Sequence, residues 1–235
     1  MIRYAKLPLP YDLKAMQKEL ILFQGEWQAH FNTLYYEGSW TGITLRSPGG
    51  GTKNIIPDLI ADADYQDTAF MQHFKTVITL ISHISCPIMA VRFLNLQAGA
   101  VIKPHRDNEL AFEMGEARLH FPIITNPLVS FNIEDTSIPL QAGDCWYINA
   151  NLTHSVANMG STNRIHLVID CKVNDWLKHM MSQATEVSYK EDDSRNLLNI
   201  IRELRMQNTN TSNKLAAELE QQLTVINTIH TPDIK

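Results

Sequence analysis

His105 and Asp107 stand two residues apart in Val101-Ile102-Lys103-Pro104-His105-Arg106-Asp107, and His154 lies 47 residues beyond Asp107. On an extended strand, side chains two apart leave from the same face. The pair therefore offers one imidazole and one carboxylate to a shared ligand, and a later strand can bring His154 opposite. Two imidazoles and one carboxylate on one side of a metal suit non-heme Fe(II), leaving open positions for a co-substrate and dioxygen. With nine histidines in the chain, His-x-Asp alone is a weak signal. Arg164, ten residues after His154, strengthens it. A guanidinium grips a carboxylate through two parallel charge-assisted hydrogen bonds, which suits the remote carboxylate of 2-oxoglutarate. Without such a ligand, a barrel-facing arginine carries a large desolvation cost.

Further basic residues surround this set. Arg118 and His120 share strand parity, so both face the cavity or both face away. One division gives Arg164 the distal co-substrate carboxylate and Arg118 or His120 the metal-proximal carboxylate or a substrate acid. Arg92, on a neighbouring apolar strand, then anchors the substrate. A solvated strand face remains the alternative for Arg92 and Arg118. Arg106 points opposite its two neighbours and reads as structural or rim. His166 and Ser155 could support the site or simply pack, and Trp146 and Tyr147 read as barrel structure.

These residues need a β-rich scaffold, and the flanking pattern supplies one. Residues 88–96, 101–107, 119–124, 129–133, 145–148 and 164–169 are β-prone and separated by Gly, Pro and Asn turns. Short strands so punctuated favour an antiparallel barrel or jelly roll over an alternating α/β fold. Upstream, Asp12 is a candidate N-cap for a helix over 13–23, with Leu13, Met16, Leu20 and Phe23 at helical spacing. Residues around 35–45 suggest short strands about Glu37-Gly38-Ser39. A broad apolar stripe predicts a second long helix over 67–85. Gly49-Gly50-Gly51 is a loop without a Walker pattern, leaving a cavity rim or an inert turn. After Asp170 the pattern turns helical: a short helix over 173–181, a second capped by Asp192 or Asp193, a polar break at 208–213, and a third over 214–226. The expected organisation is a domain over 1–172, with its β core at about 86–171, and a helical extension over 173–235. That extension reads as a cap or a homodimer surface.

Bulk properties narrow the classes. A net charge of −5 and pI near 6.0 argue against a nucleic-acid partner. Cys86, Cys145 and Cys171 show no zinc-ligand spacing and read as reduced thiols of a cytoplasmic protein. No sustained apolar h-region opens the chain. No run reaches the roughly 18 apolar residues of a membrane span.

With these residues in place, the chain resembles the aspartyl/asparaginyl beta-hydroxylase family, and within it the branch containing bacterial L-proline cis-hydroxylases. The resemblance is strongest from about Arg92 to Asp170 and extends upstream through Trp40. It implies a double-stranded β-helix of cupin type, mainly β with supporting helices. Under it, His105, Asp107 and His154 match the metal motif and Arg164 the co-substrate arginine. Arg118-Leu119-His120 looks like the family's Arg-x-His strand, which contacts co-substrate or substrate. The implied cofactors are Fe(II), 2-oxoglutarate and O2, with hydroxylation of an unactivated C–H and release of succinate and CO2. Eukaryotic peptide aspartyl hydroxylases of the family lack the metal-binding carboxylate; Asp107 therefore favours the bacterial free-amino-acid branch. Asp or Asn residues in a peptide remain the alternative substrate, and a cupin-type metal oxygenase that needs no oxoacid or a non-catalytic metal- or ligand-binding cupin a more distant one.

Overall fold

The computed structural model describes residues 1–53, 63–190 and 193–230. In chain order the strands are β1 (Ile2–Leu7), β2 (Gln28–Ala29), β3 (Tyr36–Glu37), β4 (Trp40–Pro48), β5 (Tyr65–Asp67), β6 (Ile88–Leu96) and β7 (Val101–His105). There follow β8 (Glu116–Ile124), β9 (Val129–Ile133), β10 (Thr136–Ser137), β11 (Cys145–Ile148), β12 (His154–Asn158), β13 (Arg164–Lys172) and β14 (Glu186–Tyr189). The helices are α1 (Leu13–Leu22), α2 (Lys75–Ser82), α3 (Asp175–Ser182), α4 (Asp193–Gln207) and α5 (Asn210–His230).

Two antiparallel sheets face each other. The larger runs β14-β1-β11-β8-β13-β6-β4-β2 with β5 on β4, and the smaller runs β10-β9-β12-β7-β3. Both faces of the larger sheet are covered, and they differ in chemistry. In β13, Ile165, Leu167, Ile169 and Cys171 join a core with Met16 and Leu20 of α1, Val77 and Leu80 of α2, and Leu177 and Met181 of α3. The intervening Arg164, His166 and Asp170 are equally buried but point the other way, because successive strand side chains alternate. One face thus builds the hydrophobic core; the other carries the polar groups of the cavity between the sheets.

Local chemistry explains several boundaries. Asp12 caps α1 as expected, its Oδ1 accepting from the N–H of Ala15 at 3.0 Å. The long helix expected over 67–85 is much shorter. Residues 65–67 form the edge strand β5 along β4. Thr68 continues the tie, its N–H and Oγ1 both bonding carbonyls of β4, Leu45 and Thr44, at 2.8 Å. Helix α2 starts only at Lys75 after a 3-10 turn. Tertiary pairing overrode the periodic apolar stripe. The triglycine makes the turn out of β4, with Gly49 and Gly50 at φ +64° and +71°.

The chain forms two compact units, residues 2–189 and residue 1 with 190–235. Helix α3 and strand β14, which pairs with β1, belong to the first. The second is a hairpin of α4 and α5, turning at Asn208 (φ +48°) and bridged by Arg205 Nη2 to Glu220 Oε2 at 2.9 Å. Asp192, one of two candidate caps for α4, lies outside the described residues. Among the described residues, no helix is long and apolar enough to cross a membrane.

Candidate metal centre

β7 and β12 pair antiparallel, with His105 directly opposite His154. Their ring centroids lie 4.2 Å apart. Each imidazole is oriented the same way: Nδ1 of His105 donates to the Lys103 carbonyl at 2.8 Å, and Nδ1 of His154 to that of Leu152 at 3.0 Å. A neutral ring with its proton on Nδ1 leaves an Nε2 lone pair free, the arrangement a metal-binding histidine requires. Asp107 lies just past the end of β7, where its N–H donates to the Ala150 carbonyl at 2.9 Å. Its Oδ1 sits 4.0 Å from His105 Nε2. One ligand atom from each of His105, Asp107 and His154 falls within 4.8 Å of the others. Arg106 turns away, its Nε donating to Thr153 Oγ1 at 2.8 Å.

The donor set carries the charge a divalent metal needs. Burial alone would raise the Asp107 carboxyl, but the Arg118 guanidinium, then His154 and His105, hold it down to about 2. Burial, then the neighbouring His105, lowers His154 to about 4. At neutral pH both present unprotonated ligands. Arg118 Nη1 bonds Asp107 Oδ2, which leaves Oδ1 on the histidine side. The three residues form the His/Asp/His facial triad typical of Fe(II)/2-oxoglutarate-dependent dioxygenases.

Trp40, Leu94, Arg118, His120, Ile148 and Arg164 of the larger sheet line the cavity together with Ile102, His105, Phe131, His154 and Val156 of the smaller sheet, and Asp107. Arg164 is buried there without a carboxylate partner among the described residues, and burial pulls it down to about 9. Its guanidinium carbon stands 5.8 Å over the Phe131 ring. An unpaired buried guanidinium costs free energy unless a ligand acid satisfies it. The residues thus fit a dicarboxylate co-substrate as well as a metal. His120 is held neutral by burial and the nearby Arg164, and its buried Nδ1 has no partner among the described residues.

Arg92 does not line the cavity. Its Nη2 donates to Asp170 Oδ2 at 2.7 Å, and its Nη1 is buried without a partner among the described residues. Asp170 also accepts two bonds from Arg118. This carboxylate escaped the sequence reading. Its signal was available: 164, 166 and 170 share one parity, and an acid in a run as apolar as Ile165–Ile169 needs a cation nearby. His30 was missed as well. It stacks on Trp40 with centroids 3.7 Å apart, and burial, then Arg92, lowers it to about 4. Nothing in its sequence context marked it.

The family model for aspartyl/asparaginyl beta-hydroxylase matches residues 12–173. An L-proline cis-3-hydroxylase 2 from Streptomyces sp is 28% identical over 141 residues, covering 58% of this chain and 48% of its own. An L-proline cis-4-hydroxylase from Rhizobium meliloti (strain 1021) is 28% identical over 147 residues, covering 60% and 52%. The chain thus spans about half the length of the curated relatives it matches. In fold it is similar to a 2OG-Fe(II) oxygenase family oxidoreductase from Burkholderia pseudomallei, with TM-score 0.51 and 11% identity over 73% of this chain and 86% of that one. With the match spanning the β core and every triad residue, the chain belongs to the aspartyl/asparaginyl beta-hydroxylase family and is homologous to its bacterial proline cis-hydroxylase branch.

Proposed function

We propose that this protein hydroxylates an unactivated C–H of a free amino acid, proline or a similar one, in a reaction dependent on Fe(II) and 2-oxoglutarate. The observation that carries the reading is an oriented His/Asp/His set sharing one cavity with a buried arginine that has no acid partner among the described residues. Nε2 of His105, Nε2 of His154 and Oδ1 of Asp107 would hold the iron. Arg164 would take the remote carboxylate of 2-oxoglutarate, with His120 beside it. When bound, iron and 2-oxoglutarate supply the oxidising chemistry: dioxygen is consumed, succinate and CO2 leave, and one oxygen atom enters the substrate C–H.

The chain's own residues bind and orient. Trp40, Phe131, Ile102 and Val156 exclude water from the cavity, which strengthens every charge interaction within it. Charge favours an acidic substrate. Arg92 and Arg118 are balanced by Asp107 and Asp170, leaving Arg164 as one unmatched positive charge. A divalent iron adds two more, and 2-oxoglutarate cancels two of the resulting three. One positive charge then remains for a substrate carboxylate, with Arg118 lining the same cavity as Arg164; Arg92 would act from behind, through Asp170. A free amino acid brings such a carboxylate on its backbone, whereas an internal peptide residue has a neutral backbone amide there and offers a carboxylate only where its side chain is acidic. The three free buried cysteines support a cytoplasmic location for this chemistry.

Purified protein with Fe(II), 2-oxoglutarate and ascorbate should convert one or more free amino acids to products heavier by one oxygen atom, with matching succinate. Mass spectrometry of parallel reactions with free amino acids and with Asp/Asn peptides checks this. Turnover confined to the peptides would replace the free-amino-acid reading with residue β-hydroxylation.

A further inference from the structure

Arg164 is fixed by a single hydrogen bond among the described residues, from its Nη2 to Nδ1 of His166 at 2.7 Å. Arginine has only donors to offer, so Nδ1 must accept and the His166 proton must reside on Nε2. Burial, then the adjacent Arg164 and His120, keep this ring neutral, in agreement with the geometry. Nε2 is buried and has no partner among the described residues. In the register His166 lies between Leu94 on β6 and Pro122 on β8, neighbours that an aliphatic side chain would suit without an orphaned polar atom. Residues 164 and 166 share one face of β13, so the acceptor is delivered by the strand itself.

From this geometry we infer that His166 is a positioning residue for Arg164. Its Nδ1 occupies one outer N–H of the guanidinium and sets the plane of the fork. Nε of Arg164, buried without a partner, and the remaining Nη donors stay available to a carboxylate. The imidazole does this without adding charge, so the full positive charge of Arg164 is left for the ligand acid. This inference rests on the co-substrate reading above. It goes beyond that reading in assigning the preference for an oxoacid with a second, remote carboxylate to a pair of residues rather than to Arg164 alone.

Two substitutions separate positioning from packing. His166→Asn keeps an acceptor oxygen near the Nδ1 position, while His166→Gln moves its amide out to the Nε2 position and leaves no acceptor at Nδ1. Full-length protein loaded with Mn(II) is titrated anaerobically by calorimetry with 2-oxoglutarate, and separately with oxalate, which chelates the metal but lacks the remote carboxylate. His166→Gln should bind 2-oxoglutarate about tenfold more weakly, as loss of one hydrogen bond to a charged group predicts. Its oxalate affinity should stay within about twofold of wild type, and His166→Asn should recover most of the 2-oxoglutarate affinity. Unchanged 2-oxoglutarate binding by His166→Gln overturns the inference. Equal weakening toward both ligands, or no advantage of Asn over Gln, overturns it too. A wild-type protein that binds oxalate but not 2-oxoglutarate overturns the co-substrate reading itself, and this inference with it.

Discussion

Arg118 and Asp170 meet through two hydrogen bonds, Nε to Oδ1 at 2.7 Å and Nη2 to Oδ2 at 3.1 Å, in a contact closed to solvent. The same arginine reaches Asp107 through Nη1, so one guanidinium joins a carboxylate of the sheet interior to a candidate metal ligand. Arg92 shares Asp170 from the other side. The two cations fare differently. Arg118, bonded to two carboxylates, is held firmly charged despite burial, whereas for Arg92 burial, with repulsion from Arg118, outweighs the attraction of Asp170 and the more weakly acting Asp107. Removing the shared acid leaves Arg92 buried without a bonded carboxylate and Arg118 with Asp107 alone, and breaking a buried pair by deleting one partner typically costs about 3–5 kcal/mol. Asp170→Asn should therefore lower unfolding stability by an amount in that range, read from the midpoint shift in urea at unchanged slope. A loss below about 1 kcal/mol, the scale of an exposed pair, would mean that Asp170 is not the anchor of both arginines.

Much of this centre could be read in the chain because its parts are local in sequence or periodic. His-x-Asp is a strand-parity pattern, and the strands over 88–96, 129–133 and 145–148 have the bounds that the turns around them suggest. What could not be read depends on long-range pairing. Asp170 acquires meaning only when Arg118 and Arg92 arrive from 52 and 78 residues away. The helix expected over 67–85 failed for the same reason: its first residues found hydrogen-bond partners on β4, which no local pattern announces. His30 joins the site through stacking on Trp40, a contact set by the path of the intervening chain.

Metal affinity should depend on Arg118 although it is not itself a candidate ligand. Its bond to Asp107 Oδ2 fixes the carboxylate and keeps it ionised. Loss of such outer partners commonly costs about 10–100-fold in metal affinity. Arg118→Met should weaken Mn(II) binding by a factor in that range, measured by electron paramagnetic resonance titration. Asp107→Ala should weaken it further still. Equal Mn(II) affinity in wild type and Arg118→Met would show that Asp107 needs no such support, and normal affinity in Asp107→Ala would remove it from the ligand set.

Every residue of the candidate site lies within the unit spanning 2–189, and so does every member of its hydrophobic core. Strand β14 closes one edge of that unit by pairing with β1. A chain ending after Tyr189 should thus fold and bind Mn(II) with wild-type affinity, within about twofold. A truncated protein that folds by circular dichroism yet binds metal at least tenfold more weakly would assign the α4–α5 hairpin a part in the site.

Stability should fall on mild acidification, because the cavity holds neutral imidazoles away from water. His120 and His166 are both pushed well below the ordinary histidine value, first by burial and then by Arg164. Unfolded, each titrates near 6.5. Above that pH neither state binds the extra proton and stability is at its plateau. Below it the unfolded chain takes up protons that the folded chain refuses, so unfolding becomes easier as pH drops. Asp107, held to about 2, stays ionised in the folded state through this range, and its own contribution is lost only at lower pH. The expected result is a flat melting temperature from pH 8 to 7 and a steady decline from about 6.5 toward 4.5, in metal-free protein at constant ionic strength. His30 and His154, each lowered to about 4, add to the same decline, and in His166→Asn, which removes one of the four imidazoles, it should be shallower. A melting temperature independent of pH between 7 and 4.5 would mean that these rings accept protons in the folded state, and so are not buried as neutral bases.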